Sequence, residues 1–472
     1  MKGMIQFSTS GTYTDLYQIS MAQVYFLSGR MNERAVFDYF FRKLPYSGGY
    51  AVFAGLQTVL EILQDFSFTS DDLEYLKSIG SNHEFVKSLK DFRFTGSVHA
   101  ALEGEIVFPN EPILRVEGTI LETQLVETIL LNILNFQSLI ATKAARMRYV
   151  AGTKSLSDFG LRRAQGFGGY HATRAAIVGG FNSTSNVKAA RDFDITVVGT
   201  MAHAFVQSYE SEITAFRDFA LYRPEQCVLL VDTYDTLKSG VPNAITIARE
   251  MEQRSQKLAG IRLDSGDLAY LAKQSRKLLD DADLAYVKIT ASNQLDEYVI
   301  KSLVDQQAPI DVFGVGTSLV TGPPDAALDG VYKLASLGGT PRIKLSENLK
   351  KITLPGKKQV YRVFGEAGSF LGADAVVLDG EDHPSVMHHP YETEKSIDIA
   401  GLDQEPLLHE VMSSGKILHD APSLKDISSY SQRRLRLVPE EYKRFYNPHI
   451  YKVGISDNLK AERNRLRHQY RR

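Results

Sequence analysis

The segment Gly199-Thr200-Met201-Ala202-His203 delivers a histidine just past the β-type run Ile195-Thr196-Val197-Val198. An imidazole at a strand end can serve as a base or a nucleophile, although a single histidine beside an apolar run is more often a hydrogen-bonded structural residue. Four later strand-like runs also end in polar residues. CVLLVDTYDT gives Asp232 and Asp235, and GIRLDSGDL gives Arg262, Asp264, Ser265, Gly266 and Asp267. YVKITASNQLDE gives Ser292 and Asn293, and DVFGVGTSLVTG gives Gly314, Gly316, Thr317 and Ser318. An arginine suits a bidentate phosphate contact. Aspartates such as Asp232 and Asp264 can hold Mg²⁺, accept from ribose hydroxyls or orient His203. Asp267, just before Leu268, reads equally as a helix cap. The glycines of Gly314-Val315-Gly316-Thr317-Ser318 let backbone N–H groups approach a phosphate, and the hydroxyls add donors. Taken together these ends describe a cleft for a phosphorylated sugar.

Such residues converge only if the runs are neighbouring parallel strands. The runs begin near residues 195, 228, 260, 286 and 310, with another at Val331-Tyr332-Lys333-Leu334. Helical stretches such as Ala244–Lys257 and Leu268–Leu279 lie between them. Alternation of this kind predicts a parallel sheet with crossover helices, either a barrel or a doubly wound sheet. No GxGxxG follows the first strand, which argues against a dinucleotide-binding fold. Upstream, Thr14 to Phe26 reads as a helix, Ala35–Phe41 as a strand and Ser97–Val116 as a β meander. Leu121, Leu125, Ile129, Asn132 and Phe136 recur at near-helical spacing, so residues 120–150 read as a long buried helix. After residue 340 the pattern turns to short antiparallel strands, and Lys460–Arg472 reads as a basic, solvated terminal helix.

Composition bounds the possibilities. The 472 residues are 43% hydrophobic and 23% charged, with a formal net charge of -2. That is the profile of a soluble protein of two or three domains, with no global attraction to nucleic acid or a membrane surface. No apolar run reaches the roughly 20 residues of a membrane span, and MKGMIQFSTSGTYTDLYQ lacks the apolar core of a signal peptide. The one cysteine, Cys227, excludes an internal disulfide and a cysteine-based zinc cage and reads as a core residue. A cytoplasmic location is expected.

Eight segments, in order, carry a resemblance. They are TDLYQISMAQVYF (14–26), FDYFFRKLPYSGGYAVFAGL (37–56), DFGLRRAQG (158–166), GGFNSTSNV (179–187), GTMAHAFVQS (199–208), LLVDTYDT (229–236), GIRLDSGDL (260–268) and GVGTSLVTG (314–322). Through them the chain resembles the nicotinate phosphoribosyltransferases along most of its length. The resemblance implies an irregular parallel α/β barrel of the type II phosphoribosyltransferase kind, with a β-rich N-terminal domain and a small C-terminal region. The expected division is 1–125 for an N-terminal α+β domain and 126–345 for the barrel and active site. Residues 346–472 are expected to form a C-terminal region partly packed on the N-terminal domain. The implied reaction joins nicotinate to 5-phosphoribosyl 1-pyrophosphate, giving nicotinate mononucleotide and pyrophosphate in NAD salvage. ATP is the co-substrate and Mg²⁺ the cofactor. His203 falls on the phosphorylated position, so the resemblance makes it a phosphohistidine that couples ATP hydrolysis to synthesis. Asp232 and Asp264 match acids near ribose, metal and histidine. Arg262, Gly314, Gly316 and Thr317 match the substrate and phosphate positions, and Arg162 a phosphate contact. Thr200 and Tyr17 match nicotinate-site positions, and Phe159 the ring that stacks on the pyridine. The tyrosine of this family comes from a partner subunit, which implies a homodimer with shared sites.

Ser185 is the position that separates close relatives. Nicotinamide-using enzymes carry an aspartate there, which accepts from a carboxamide and repels a carboxylate. A serine is a neutral donor suited to a carboxylate. Two other readings compete: an aldolase-like lyase using Lys288 as a Schiff base, and a non-catalytic NAD-precursor sensor. Intact His203, Asp232, Arg262 and Asp264 argue against the sensor.

Overall fold

The computed structural model describes residues 10–348, 351–365, 368–392 and 394–470. These divide into two compact units, one from residues 1–142 and 327–472, the other from 143–326.

The first unit is built on antiparallel pairing. Arg34–Phe41 lies between Gly330–Leu337 and Leu114–Thr119 in a seven-stranded sheet. Its inward side chains, Phe37, Tyr39 and Phe41, alternate as a strand with one buried face requires. Phe37 stacks on Tyr332 with ring centroids 4.7 Å apart. The Val331 run expected in the parallel sheet is therefore here instead. Its alternating side chains match the apolar face of Arg34–Phe41 despite their distance in sequence, and residues 126–142 and 327–345 group with this unit. The expected meander is only partly formed. Ser97–Ala100 pairs with Leu114–Thr119, but Ile106–Val107 turns away to pair with Ala51–Val52. The long helix is two helices, Ile120–Leu125 and Glu127–Ala151, the first opened by a Thr119–Glu122 capping box. A second, six-stranded sheet comes from the C-terminal segment, with Lys358–Phe364 and Phe370–Leu378 at its centre. The basic terminal segment forms the helix Asp457–Tyr470, which buries Leu459, Arg463 and Leu466.

The second unit carries the predicted alternation. Its elements are β1 (Ser155–Asp158), α1 (Gly168–Val178), β2 (Ser183–Thr184), α2 (Val187–Phe193), α3 (His203–Gln207), α4 (Glu212–Tyr222), β3 (Val228–Leu230), α5 (Val241–Gln253), β4 (Gly260–Leu263), α6 (Leu268–Asp281), β5 (Lys288–Ser292), α7 (Glu297–Asp305), β6 (Val312–Val315) and α8 (Thr317–Val320). The six strands lie in the order β2-β1-β6-β5-β4-β3, and every pairing is parallel. The expected barrel is not closed. Ile195–Val198, read as its first strand, makes only the isolated parallel bridge Thr184↔Val197, and among the described residues no backbone pairing joins it to β3. The run is too exposed to be held by burial, with Val197 43% accessible. Cys227, just before β3, is buried as expected, and burial pushes its thiol up to about 12.

Candidate active site

The parallel register decides which residues meet. Val315 pairs with Asp158, Gly314 with Ser292, Thr290 with Arg262 and Leu230 with Arg262. The carboxyl ends of β1, β6, β5, β4 and β3 therefore line up, and the residues after them share one mouth.

Arg262 is the hub. Its Nε donates to Ser292 Oγ at 2.8 Å, one terminal nitrogen to Thr200 Oγ1 at 2.9 Å and the other to Asp264 Oδ1 at 2.8 Å. Its guanidinium carbon sits 5.5 Å from the centre of the Phe159 ring. The ends of β4 and β5 and the segment after Val198 are thereby tied by one side chain, and each terminal nitrogen keeps a further N–H for a ligand. The bond to Thr200 also spans the seam that the sheet leaves open.

His203 opens α3 beside β3. Its Nδ1 lies 3.1 Å from Thr233 Oγ1, while Nε2 faces Asp232 Oδ1 at 3.9 Å and Asp264 Oδ2 at 3.8 Å. The imidazole is 40% exposed, whereas the Asp232 side chain is 1% exposed. Asp232 Oδ2 accepts from the Asp264 N–H at 2.9 Å and from Ser265 Oγ at 2.6 Å. Its Oδ1 is buried with no hydrogen-bond partner. An unsatisfied buried carboxylate oxygen is costly, so this atom is poised for a cation or a donor. Among the described residues no group of three or more His, Cys, Asp or Glu forms a metal cage. That donor set fits Mg²⁺, which often takes one or two carboxylates and completes its shell with water and substrate phosphate oxygens.

Phe159, half-buried, follows β1 and lies against Gly314. A Cβ at residue 314 would come within 2.4 Å of the ring, so only glycine leaves it in place. Gly316 precedes α8, and Thr317 opens it. Ser185 follows β2, and its N–H donates to the Asp158 carbonyl at 2.8 Å. Arg162 is exposed on the turn after β1 and makes no side-chain hydrogen bond or ion pair among the described residues. Tyr17 belongs to the first unit, on the helix Leu16–Leu27, and is 50% exposed.

Two aspartates are caps. Asp235 accepts from the N–H groups of Leu237 and Lys238, and Asp267 from that of Tyr270. Lys288 opens β5 with its side chain exposed, at the end of the strand opposite Ser292. The strand rise puts it roughly 13 Å from the mouth, which removes the Schiff-base reading. Sequence reasoning missed Thr233 and Asp158. Thr233 sits inside the quoted LLVDTYDT, but nothing local marks it as the partner of His203, so far back in the chain.

The fold and the mouth define an α/β protein that gathers arginine, histidine and acids at the carboxyl ends of a parallel sheet. Residues 12–135 match the model of the nicotinate phosphoribosyltransferase (NAPRTase) N-terminal domain, residues 154–368 that of the NAPRTase family, and residues 357–463 that of the C-terminal domain. The nicotinate phosphoribosyltransferase of Bacillus subtilis is 44% identical over 97% of this chain and 95% of its own. That of Mus musculus is 34% identical, covering 95% of each. Human nicotinic acid phosphoribosyltransferase superposes with a TM-score of 0.87 at 32% identity, covering 96% of this chain and 99% of its own. A nicotinate-nucleotide pyrophosphorylase from Pyrococcus furiosus gives 0.71 at 25% identity, covering 90% and 95%. The chain belongs to the nicotinate phosphoribosyltransferase family.

Proposed function

We propose that the chain joins nicotinate to 5-phosphoribosyl 1-pyrophosphate, yielding nicotinate mononucleotide and pyrophosphate. Family membership supports the reaction class. The observation that carries it to this mouth is the Arg262 hub, which ties Thr200, Ser292 and Asp264 together beside Phe159 and His203.

Nicotinate lies against Phe159, with its carboxylate toward Ser185 and Thr200. Its ring nitrogen attacks the sugar C1 with its own lone pair, so no base is required. The C1–O bond breaks and its electrons leave with pyrophosphate. The transition state carries positive charge on the sugar and negative charge on the leaving group. Arg262 balances the latter with its remaining N–H groups, a role in which preorganised donors are most effective. Gly314, Gly316 and Thr317 offer close backbone approach and a hydroxyl to phosphate oxygens, and exposed Arg162 adds a positive charge. Asp232 Oδ1 is the oxygen that would hold Mg²⁺, whose chemistry is counter-charge for the phosphates.

ATP coupling runs through His203. The γ-phosphoryl group passes to an imidazole nitrogen and ADP leaves; water later cleaves the P–N bond, releasing phosphate. Exposure of the ring and the adjacent Asp232 and Asp264 support this assignment. The reaction is thus ligase-type, feeding pyridine nucleotide synthesis from a salvaged base. Asp232 and Asp264, at 3.9 and 3.8 Å from Nε2, orient the ring. Tyr17 reaches the site from a second copy in a homodimer. The exposed Leu16, Tyr17, Val24 and Leu27 on one helix are the apolar surface such a partner would cover. No described helix is long and apolar enough to cross a membrane.

The test is a product assay with nicotinate or nicotinamide, each with and without ATP. Nicotinate mononucleotide should form from nicotinate, faster with ATP. Turnover of nicotinamide at a comparable rate contradicts the role given to Ser185.

A further inference from the structure

Asp158 ends β1 and is buried, 1% exposed. Its carboxylate contacts go to the turn after β1, to β2 and to α1. Oδ1 accepts from the Gly160 N–H at 2.8 Å, fixing the turn that carries Phe159. Oδ2 accepts from Thr184 Oγ1 at 2.9 Å and from Thr173 Oγ1 at 2.7 Å. Its main-chain carbonyl accepts from the N–H of Ser185. Thr184 precedes Ser185, and Thr173 sits mid-α1 and also accepts from Asn186 Nδ2 at 3.3 Å. One buried residue therefore clamps the turn after β1 to the turn after β2.

We infer that Asp158 is a positioning residue for the pyridine subsite: its carboxylate sets the spacing between the Phe159 ring and Ser185, and so the fit of a pyridine carboxylate. This deepens the functional reading above and rests on it. β2 is only two residues long, so the carboxylate reinforces a turn otherwise held by a short ladder, the Ser157–Ser183 hydroxyl pair and the Ser185 N–H bond to the Asp158 carbonyl. Both carboxylate oxygens are engaged, so Asp158 offers nothing to a ligand and does not touch the reacting atoms. It makes no hydrogen bond to Arg262, whose partners are Ser292, Thr200 and Asp264.

A carboxylate without a cation is an unusual choice for a purely structural clamp. Burial raises its proton affinity above the ordinary aspartate range, and the three donors offset only part of that. An amide of the same shape removes the buried charge but cannot accept at both ends. The Gly160 N–H keeps its acceptor, while the amide nitrogen introduced by Asp158→Asn would face two hydroxyls that formerly donated. Thr173 can turn to the Gly169 carbonyl, which already lies 3.0 Å away. Asp158→Asn should therefore fold and lose geometry rather than stability.

The experiment is steady-state kinetics on full-length wild type, Asp158→Asn and Thr184→Val, with thermal unfolding of each. Asp158→Asn should raise the KM for nicotinate by about tenfold or more while the KM for phosphoribosyl pyrophosphate stays within about twofold, an error of placement being costly for fit. Its melting temperature should stay close to that of wild type. Thr184→Val should shift nicotinate KM in the same direction by less, and the double variant should be no worse than Asp158→Asn alone. An unchanged nicotinate KM in Asp158→Asn, or an equal rise in both KM values, overturns the inference while leaving the functional reading intact. Wild type that makes no nicotinate mononucleotide overturns the functional reading and this inference together.

Discussion

Two arginines, Arg262 and Arg362, show how one kind of side chain is used for opposite ends. Arg362, in the first unit, is fully buried. It grips Asp374 with two nitrogens at 3.1 and 2.7 Å and Glu105 at 2.6 Å, and lies over the rings of Phe108 and Phe370 at 5.3 and 4.5 Å. Arg434 and Tyr430 close on Glu105, and Tyr451 donates to Asp374 at 2.8 Å. Arg362, Asp374, Glu105 and Tyr451 complete each other and are buried. Arg262 also bonds through all three nitrogens, but its partners are hydroxyls and a carboxylate from separate segments, each terminal nitrogen keeps a further N–H, and its side chain is 16% exposed. A closed network holds a fold, whereas an open one leaves donors for a ligand. Accessibility and the origin of the partners, rather than their number, separate a structural arginine from a functional one.

The largest effect expected from this contrast is on folding. Arg362→Ala leaves Asp374 buried without its counter-charge and Glu105 with Arg434 alone, and breaking a buried pair in this way costs about 3–5 kcal/mol. Denaturant unfolding should show that loss, and activity should fall only as the folded fraction does. Activity that collapses in a fully stable Arg362→Ala would break the distinction.

At the open site the next effect is on coupling. His203→Ala should unfold like wild type yet take up no acid-labile, base-stable label from γ-labelled ATP, and ATP should no longer accelerate product formation. Label retained in the variant would place the phosphoryl group elsewhere. Smaller again is Gly314→Ala. The new methyl must displace the Phe159 ring or the strand, with strain of about 1–3 kcal/mol. Nicotinate KM should rise, and an unchanged KM would separate Phe159 from the pyridine.

The smallest effect is a pH dependence confined to the closed network. Burial and the neighbouring Asp374 carboxylate push Glu111 well above the usual carboxylate range. The folded state therefore binds that proton more tightly than the unfolded chain. Its stabilisation is present at low pH and is lost as pH rises through the raised value. Glu111→Gln should flatten that part of the melting temperature against pH profile, and an identical slope in the variant would exclude Glu111 as its source.

The site was more legible than the frame that holds it. Asp232, Arg262, Asp264 and Gly314–Thr317 follow runs of buried aliphatic residues spaced as β-loop-α units, and the spacing alone groups them. Ser155–Asp158 hides because SLSD has one apolar residue, and β2 is two residues long. Both become strands only by pairing with β6 and with each other. Conversely, Ile195–Val198 has ideal strand composition but only the Thr184 bridge to pair with, and the Val331 run has a better partner in Arg34–Phe41. Local propensity cannot rank such distant partners. For the same reason the Thr200–Arg262, His203–Thr233 and Asp158–Thr184 bonds, each joining distant residues, were beyond reach. Nor does any local pattern distinguish the buried Arg362 from the open Arg262.

The most direct measurement is Arg262→Ala, assayed for nicotinate mononucleotide formation and for thermal unfolding on the same preparation. Loss of a preorganised donor at developing charge lowers turnover on the order of a hundredfold or more. That loss should appear with a melting temperature near that of wild type. Near-normal turnover in the stable variant would contradict the placement of Arg262 at the centre of the site.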